Sequence, residues 1–138
     1  MGETMNKFRK YTNKCDFDGL YRELAAEHYD YTLENFTRDF NKISSEKKFA
    51  YLHYLIANEE TPELHLLVCD FLLYTDTFFF DIYPVVKWHL KRALEISPNS
   101  VEVLGWIIGI FANGNPDSPF SGEELRAYNE RLNELEQA

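Results

Sequence analysis

Apolar residues along this chain recur at helical spacing and rarely alternate. Leu33, Phe36, Phe40 and Ile43 stand at i, i+3, i+7 and i+10, one stripe on a helix. Leu64, Leu67, Val68 and Phe71 form a second stripe, and Leu125, Tyr128, Leu132 and Leu135 a third. Leu20 and Leu24 share one side of a segment from Asp18 to about His28. The apolar face rotates between that segment and the next. Either the chain breaks near Tyr29–Thr32, or one long helix packs on two sides. A further helix is predicted over residues 5–14.

Local signals place the helix ends. Ser45 can cap a helix running to about Asn58. In "ETPEL", Thr61 is a cap, Pro62 takes the first helical position and Glu63 the first turn. A helix is expected from Phe79 or Ile82 to Ile96, with Pro84 tolerated in its first turn. Asn99 and Glu102 form an N-cap pair for a helix to about Ala112. "NGNPDSPFSG" is a loop, and Ser121 with Glu124 makes a capping box for the last helix.

A faint repeat adds to this. A shift of 37 residues lays "ELHLLVCDFLLY" over "SVEVLGWIIGIF", so that residues 45–75 and 82–112 read as two helical hairpins of similar build. Such hairpins stack because neither buries its apolar face alone. The expected fold is all-α: one domain of about six or seven helices in stacked antiparallel hairpins, a helical array. "HLKRALEISPNSVEVLGWI" resembles the junction of a tetratricopeptide-type repeat, with Ala93, Leu94, Pro98 and Asn99 matching. The likeness covers about twenty residues and bears on fold only.

The 138 residues fit one domain, and 45% apolar content gives it a core. Net charge is −9. Residues 1–15 carry +3 of that total, from Lys7, Arg9, Lys10 and Lys14 against Glu3, so the remainder carries −12. No Lys or Arg lies between Lys48 and Lys87, an interval holding Glu59, Glu60, Glu63, Asp70, Asp76 and Asp81. Such a field repels phosphate and attracts basic proteins, which argues against direct nucleic-acid binding. Two cysteines, Cys15 and Cys69, are too few for a disulfide framework and suit a reducing, cytoplasmic setting. The N-terminal stretch has no secretory h-region. The longest apolar run, "VLGWIIGIFA", is too short for a membrane span.

Catalytic constellations are missing from the sequence. His28, His53, His65 and His89 have no partner at metal-ligand spacing, and no glycine-rich phosphate loop occurs. No enzyme activity and no cofactor or metal is expected. Gly105 and Gly109 read as a device for close helix approach. Asp70 lies on a mostly apolar helix. It is either buried with a partner or a half-exposed anchor for a basic group. A small-enzyme reading would need a pocket where Asp70 meets His53, His65 or His89.

Two candidate surfaces emerge. Glu23, Glu27, Asp30 and Glu34 step by 4, 3 and 4, within about 60° of arc on an ideal helix. That stripe would dock Lys or Arg from a partner. The second surface surrounds "YTDTFFFDIYPVVKW", with Tyr74, Asp76 and Asp81. Phe79 falls at the centre of the following helix's apolar face, and Phe78 and Phe80 on its flanks, so the run is mostly packing. Trp88 points to the polar arc of that helix, among Asp81, Lys91, Arg92 and Glu95. Either another segment of the chain or a partner covers it, and ringed aromatics of this kind serve as hot spots.

In size, acidity and helical make-up the chain resembles the small cytosolic immunity proteins of bacterial toxin–immunity systems, of the contact-dependent inhibition type. The acidic stripe, the base-free interval 49–86 and the loop "NPDSPFS" carry the likeness. It implies a stoichiometric inhibitor whose acidic surface occludes a basic toxin domain, often a nuclease. Glu23, Glu27, Asp30 and Glu34 would then meet its bases, and Trp88 or Tyr74 would add apolar contact. The alternative is a tetratricopeptide-like adaptor with a peptide groove lined by Tyr51, Tyr54, His65 or Tyr74.

Overall fold

The computed structural model describes residues 2–74, 78, 80–113 and 115–137, with side chains from Lys7 onward. Eight helices follow one another, and no strand occurs among the described residues. They are α1 (Gly2–Asn13), α2 (Phe17–Ala26), α3 (Leu33–Asp39), α4 (Ser45–Asn58), α5 (Pro62–Tyr74), α6 (Ile82–Ile96), α7 (Val101–Phe111) and α8 (Gly122–Gln137). The chain is an all-α helical array, with slightly more helices than the pattern suggested because the first half is cut into shorter pieces.

Side-chain caps set most of the starts. Thr61 Oγ1 accepts from the Leu64 amide at 3.1 Å, with Pro62 in the first helical position. The capping box at α8 is reciprocal: Glu124 N donates to Ser121 Oγ at 3.1 Å and Ser121 N donates to Glu124 Oε1 at 2.9 Å. Two expected caps are each one residue off. Ser44, not Ser45, caps α4 through the Lys47 amide. Ser100, not Asn99, caps α7 by accepting from Val103 N at 3.1 Å. Each capping bond satisfies an orphan amide and contributes about 1 kcal/mol.

The breaks are as specific as the starts. α2 ends because His28 adopts a left-handed conformation, φ 55°. Tyr29 N then donates to Leu24 O and His28 N to Ala25 O, a Schellman motif. Cys15, also at φ 55°, closes α1 the same way through Asp16 N to Tyr11 O and Cys15 N to Thr12 O. The chain therefore breaks just before Tyr29–Thr32, and the long-helix alternative fails.

The core is aromatic. Phe8, Phe36, Phe40, Tyr51, Phe71 and Phe111 are buried. Phe40 lies 4.3 Å from Phe36, 4.6 Å from Phe8 and 5.5 Å from Tyr51, ring centre to ring centre. The stripe residues Leu33, Phe36, Phe40 and Ile43 all join this core, although α3 covers only its first half. α5 packs most extensively against α6, which joins the two hairpin-like units, and α8 packs on α7. At the tetratricopeptide-like junction, Ala93 and Leu94 are buried and the turn closes by Ser100 N to Ser97 O. Phe120 pins the loop before α8 against Phe111 and Tyr128. Lys87 reaches Pro119 O and Glu124, and Lys91 reaches Glu124.

In the phenylalanine run, Phe78 is half-buried between Phe71 and Phe49, and Phe80 is 42% exposed beside Phe49. Phe79 lies outside the described residues. The expectation for Gly105 and Gly109 needs correction. A Cβ at either position would meet nothing within 4 Å, so neither admits a neighbouring helix.

Candidate functional site

The acidic stripe does not survive as one surface. The Schellman turn at His28 ends α2 before Asp30, so Glu34 begins a different helix, α3. Lys7 of α1 also pairs with Glu27 and, at 3.7 Å, with Glu23. Half of the proposed stripe is thus neutralised by the chain itself. Asp30 instead sits in the turn, where its backbone carbonyl accepts from Asn35 Nδ2 and Thr32 N.

That turn forms one wall of two adjoining hollows. The first, about 260 Å³, lies between Tyr21, Tyr29, Tyr31, Glu59 and the start of α5. The second, about 320 Å³, runs on past Leu66 and Asp70 to Glu102 and Trp106 of α7. Asp30, Tyr31 and Glu63 line both, so the two read as one groove. Five carboxylates face it: Asp30, Glu59, Glu63, Asp70 and Glu102. None of its lining residues is Lys or Arg. Each hollow is near the small end of the range for ligand pockets.

The groove's polar groups are set by their neighbours. Trp106 Nε1 donates to Asp70 Oδ1 at 2.9 Å. Burial holds Asp70 above the usual carboxylate range, and the Trp106 hydrogen bond offsets part of that. Tyr21 donates to Glu59 at 3.1 Å. Tyr29 donates to Asp39, and the Tyr31 hydroxyl meets that of Tyr51 at 2.8 Å. Burial raises the Tyr31 phenol to about 12 and the Tyr29 phenol further, so these rings stay neutral. Among the described residues, no base pairs with Asp30, Glu63, Asp70 or Glu102. Carboxylates beside neutral aromatic faces suit an ammonium or guanidinium group.

The remaining sequence-derived candidates scatter. Tyr74 is 60% exposed at the end of α5. Asp76 lies outside the described residues. Asp81 caps α6 by accepting from Tyr83 N. Trp88 is 58% exposed, and no segment of the described chain covers it. Its ring stands edge-on to His89 at 4.9 Å and His65 at 5.9 Å. Tyr51 and His65 are buried, which removes two residues expected of a peptide-holding surface. Asp70 meets Trp106 rather than a histidine, and no histidine lines the hollow it faces. Among the described residues, no group of three or more His, Cys, Asp or Glu is arranged to hold a metal ion. No helix of the described residues is long and apolar enough to cross a membrane.

Sequence reasoning missed Tyr21, Tyr29, Tyr31, Glu59, Glu63, Glu102 and Trp106 as one site. Only the Glu63–Asp70 spacing of seven residues, two helical turns, gave a local signal. Comparison with family models, curated proteins and solved structures finds no match for this chain.

Proposed function

We propose that this chain is a non-catalytic binding module for a basic protein, and that the groove between the α2–α3 turn, α5 and α7 receives that protein's lysine or arginine side chains. The observation that carries this is the set of five carboxylates lining an aromatic groove that holds no base of its own. Like charges gathered this way repel, and a cation entering the groove relieves the repulsion while the field speeds its approach. In its specific form the reading is an immunity protein that occludes a basic toxin domain, with Asp30 and Asp70 kept from the sequence argument and Glu23 and Glu27 set aside. A tight complex would bury roughly 800 Å² on each partner, so contacts would extend past the groove.

The test uses hexalysine as probe, followed at low salt through the fluorescence of Trp106 in a Trp88→Phe background. Binding is expected to weaken at least tenfold in Asp30→Lys with Glu63→Lys, and to change little in Glu23→Lys with Glu27→Lys. The reverse ranking would return the interface to α2. Survival of cells expressing a basic toxin domain encoded beside this gene, dependent on the intact groove, tests the specific form.

A further inference from the structure

Three histidines from three helices form a continuous hydrogen-bonded chain on the other side of α5. His53 Nδ1 of α4 bonds Phe49 O at 2.8 Å, and its Nε2 meets His89 Nε2 of α6 at 2.9 Å. His89 Nδ1 meets His65 Nδ1 of α5 at 2.7 Å, and His65 Nε2 meets Glu60 Oε2 at 2.7 Å. Glu60 is also held by Arg92 through two bonds of 2.7 and 2.8 Å, and Arg92 reaches Glu95 at 2.9 Å. His65 and His89 are buried.

The proton count of this chain is fixed by its ends. The Phe49 carbonyl can only accept, so His53 Nδ1 must carry a proton. The Glu60 carboxyl, forked by Arg92, is held down to about 2 and also accepts only, so His65 Nε2 must carry one. Each of the two nitrogen–nitrogen links needs one proton between its atoms. The chain thus has four links and needs four protons. Three neutral imidazoles bring three. With all rings neutral, one link has two lone pairs facing each other; with one added proton every link is complete. A fifth proton would set two N–H groups head to head.

We propose that His53, His89 and His65 together form a binding site for a single proton, which completes the joint between α4, α5 and α6 and admits no second proton while the fold holds. The added proton belongs at an end of the chain rather than on His89, whose two nitrogens meet only other imidazoles. The His65 end is favoured because Glu60 faces it. The charges around it then balance: Glu60 and Glu95 against Arg92 and one imidazolium. These groups, with His53 and His89, are the titratable or charged side chains that face the joint from α4, from the turn before α5, from α5 and from α6. Trp88, lying edge-on over His65 and His89, places an exposed aromatic surface directly above the site.

The experiment is a titration of the folded protein by ring-nitrogen NMR of the four histidines from pH 8 to 4.5, with exposed His28 as internal reference. The three joined rings are expected to take up one proton in total before unfolding. Uptake of none, or of two or more, in the folded state overturns the proposal. The Glu60→Gln variant sharpens it. A glutamine amide N–H can donate to His65 Nε2, so three neutral rings then satisfy all four links. Proton affinity of the joined rings is expected to fall at least tenfold, a shift of one pH unit or more. A shift smaller than that overturns the count. The wild-type titration decides by itself if this variant does not fold.

Discussion

Helix α5 has two polar flanks built on opposite terms. Glu63, Leu67 and Asp70 share one arc, and His65 lies about 200° away on the helical wheel. The Glu63 flank opens on the groove, where carboxylates gather without a base. The His65 flank is closed, and each polar atom there has a partner. Net charge is the same kind of quantity on both sides, but its consequence differs. An open, unbalanced cluster stays hydrated and stores repulsion that a cationic partner can relieve. A closed, balanced chain has no such use for a partner and instead couples the fold to protons.

Acid should separate the two flanks with the largest effect. Burial, first, and the neighbouring histidines hold His89 down to about 3; burial also lowers His65, partly offset by Glu60. The unfolded chain carries these rings at about 6.5. It therefore binds more protons than the fold below that value. Their contribution to stability is intact above about pH 6.5 and is lost as pH falls toward the folded values. Asp70 runs the other way. Its raised pKa means that the ionised form is the disfavoured one in the fold, so protonation relieves it. The histidine flank dominates between pH 7 and 4.5. With two protons excluded from the fold, each worth about 1.4 kcal/mol per pH unit below about 6.5, urea unfolding should show a loss of about 5 kcal/mol over that interval. A flat profile would mean that the histidines titrate freely and the joint is not closed.

A smaller effect isolates the groove. Trp106→Phe removes the donor to Asp70 and leaves a half-buried carboxylate without its partner, at a cost of about 1–2 kcal/mol. Asp70→Asn keeps an oxygen that accepts from the indole and removes a charge the site disfavours. It should leave stability within about 0.5 kcal/mol of the parent. Thermal or urea unfolding of both variants distinguishes the roles. Equal losses would show that the Asp70 charge is itself structural and not held open for a ligand.

What could be read from the sequence divides along the same line. Features completed within a few residues were legible: the Thr61 cap, Pro62 at the first turn, the Ser121–Glu124 box, the stripes that became core. Ser44 and Ser100 displaced neighbouring caps because only the final backbone decides which hydroxyl reaches the amide. The groove draws on positions 30, 59, 63, 70 and 102, and no single wheel holds them. The histidine chain spans sequence separations of 36 and 24 residues. Apparent charge clustering misled at Glu23 and Glu27, because Lys7 lies far off in sequence and adjacent in space. Gly105 and Gly109 misled for a related reason: a spacing that permits close approach does not supply a neighbour.

The least costly change tests the turn that parts the paired carboxylates from the open ones. His28 holds a left-handed backbone with an L side chain, which is disfavoured by roughly 1–2 kcal/mol relative to the right-handed form. Glycine adopts that conformation freely, and gives back part of the gain by widening the unfolded ensemble. His28→Gly should therefore stabilise the protein by about 0.5–1 kcal/mol. The Schellman bonds from Tyr29 and His28 are made by backbone amides and survive the change, so Asp30 stays at the groove. Hexalysine affinity should then match the parent. His28→Val, which puts a β-branched side chain at the same φ, should lose stability instead. A destabilised glycine variant would show that the imidazole of His28, and not its backbone, shapes the turn.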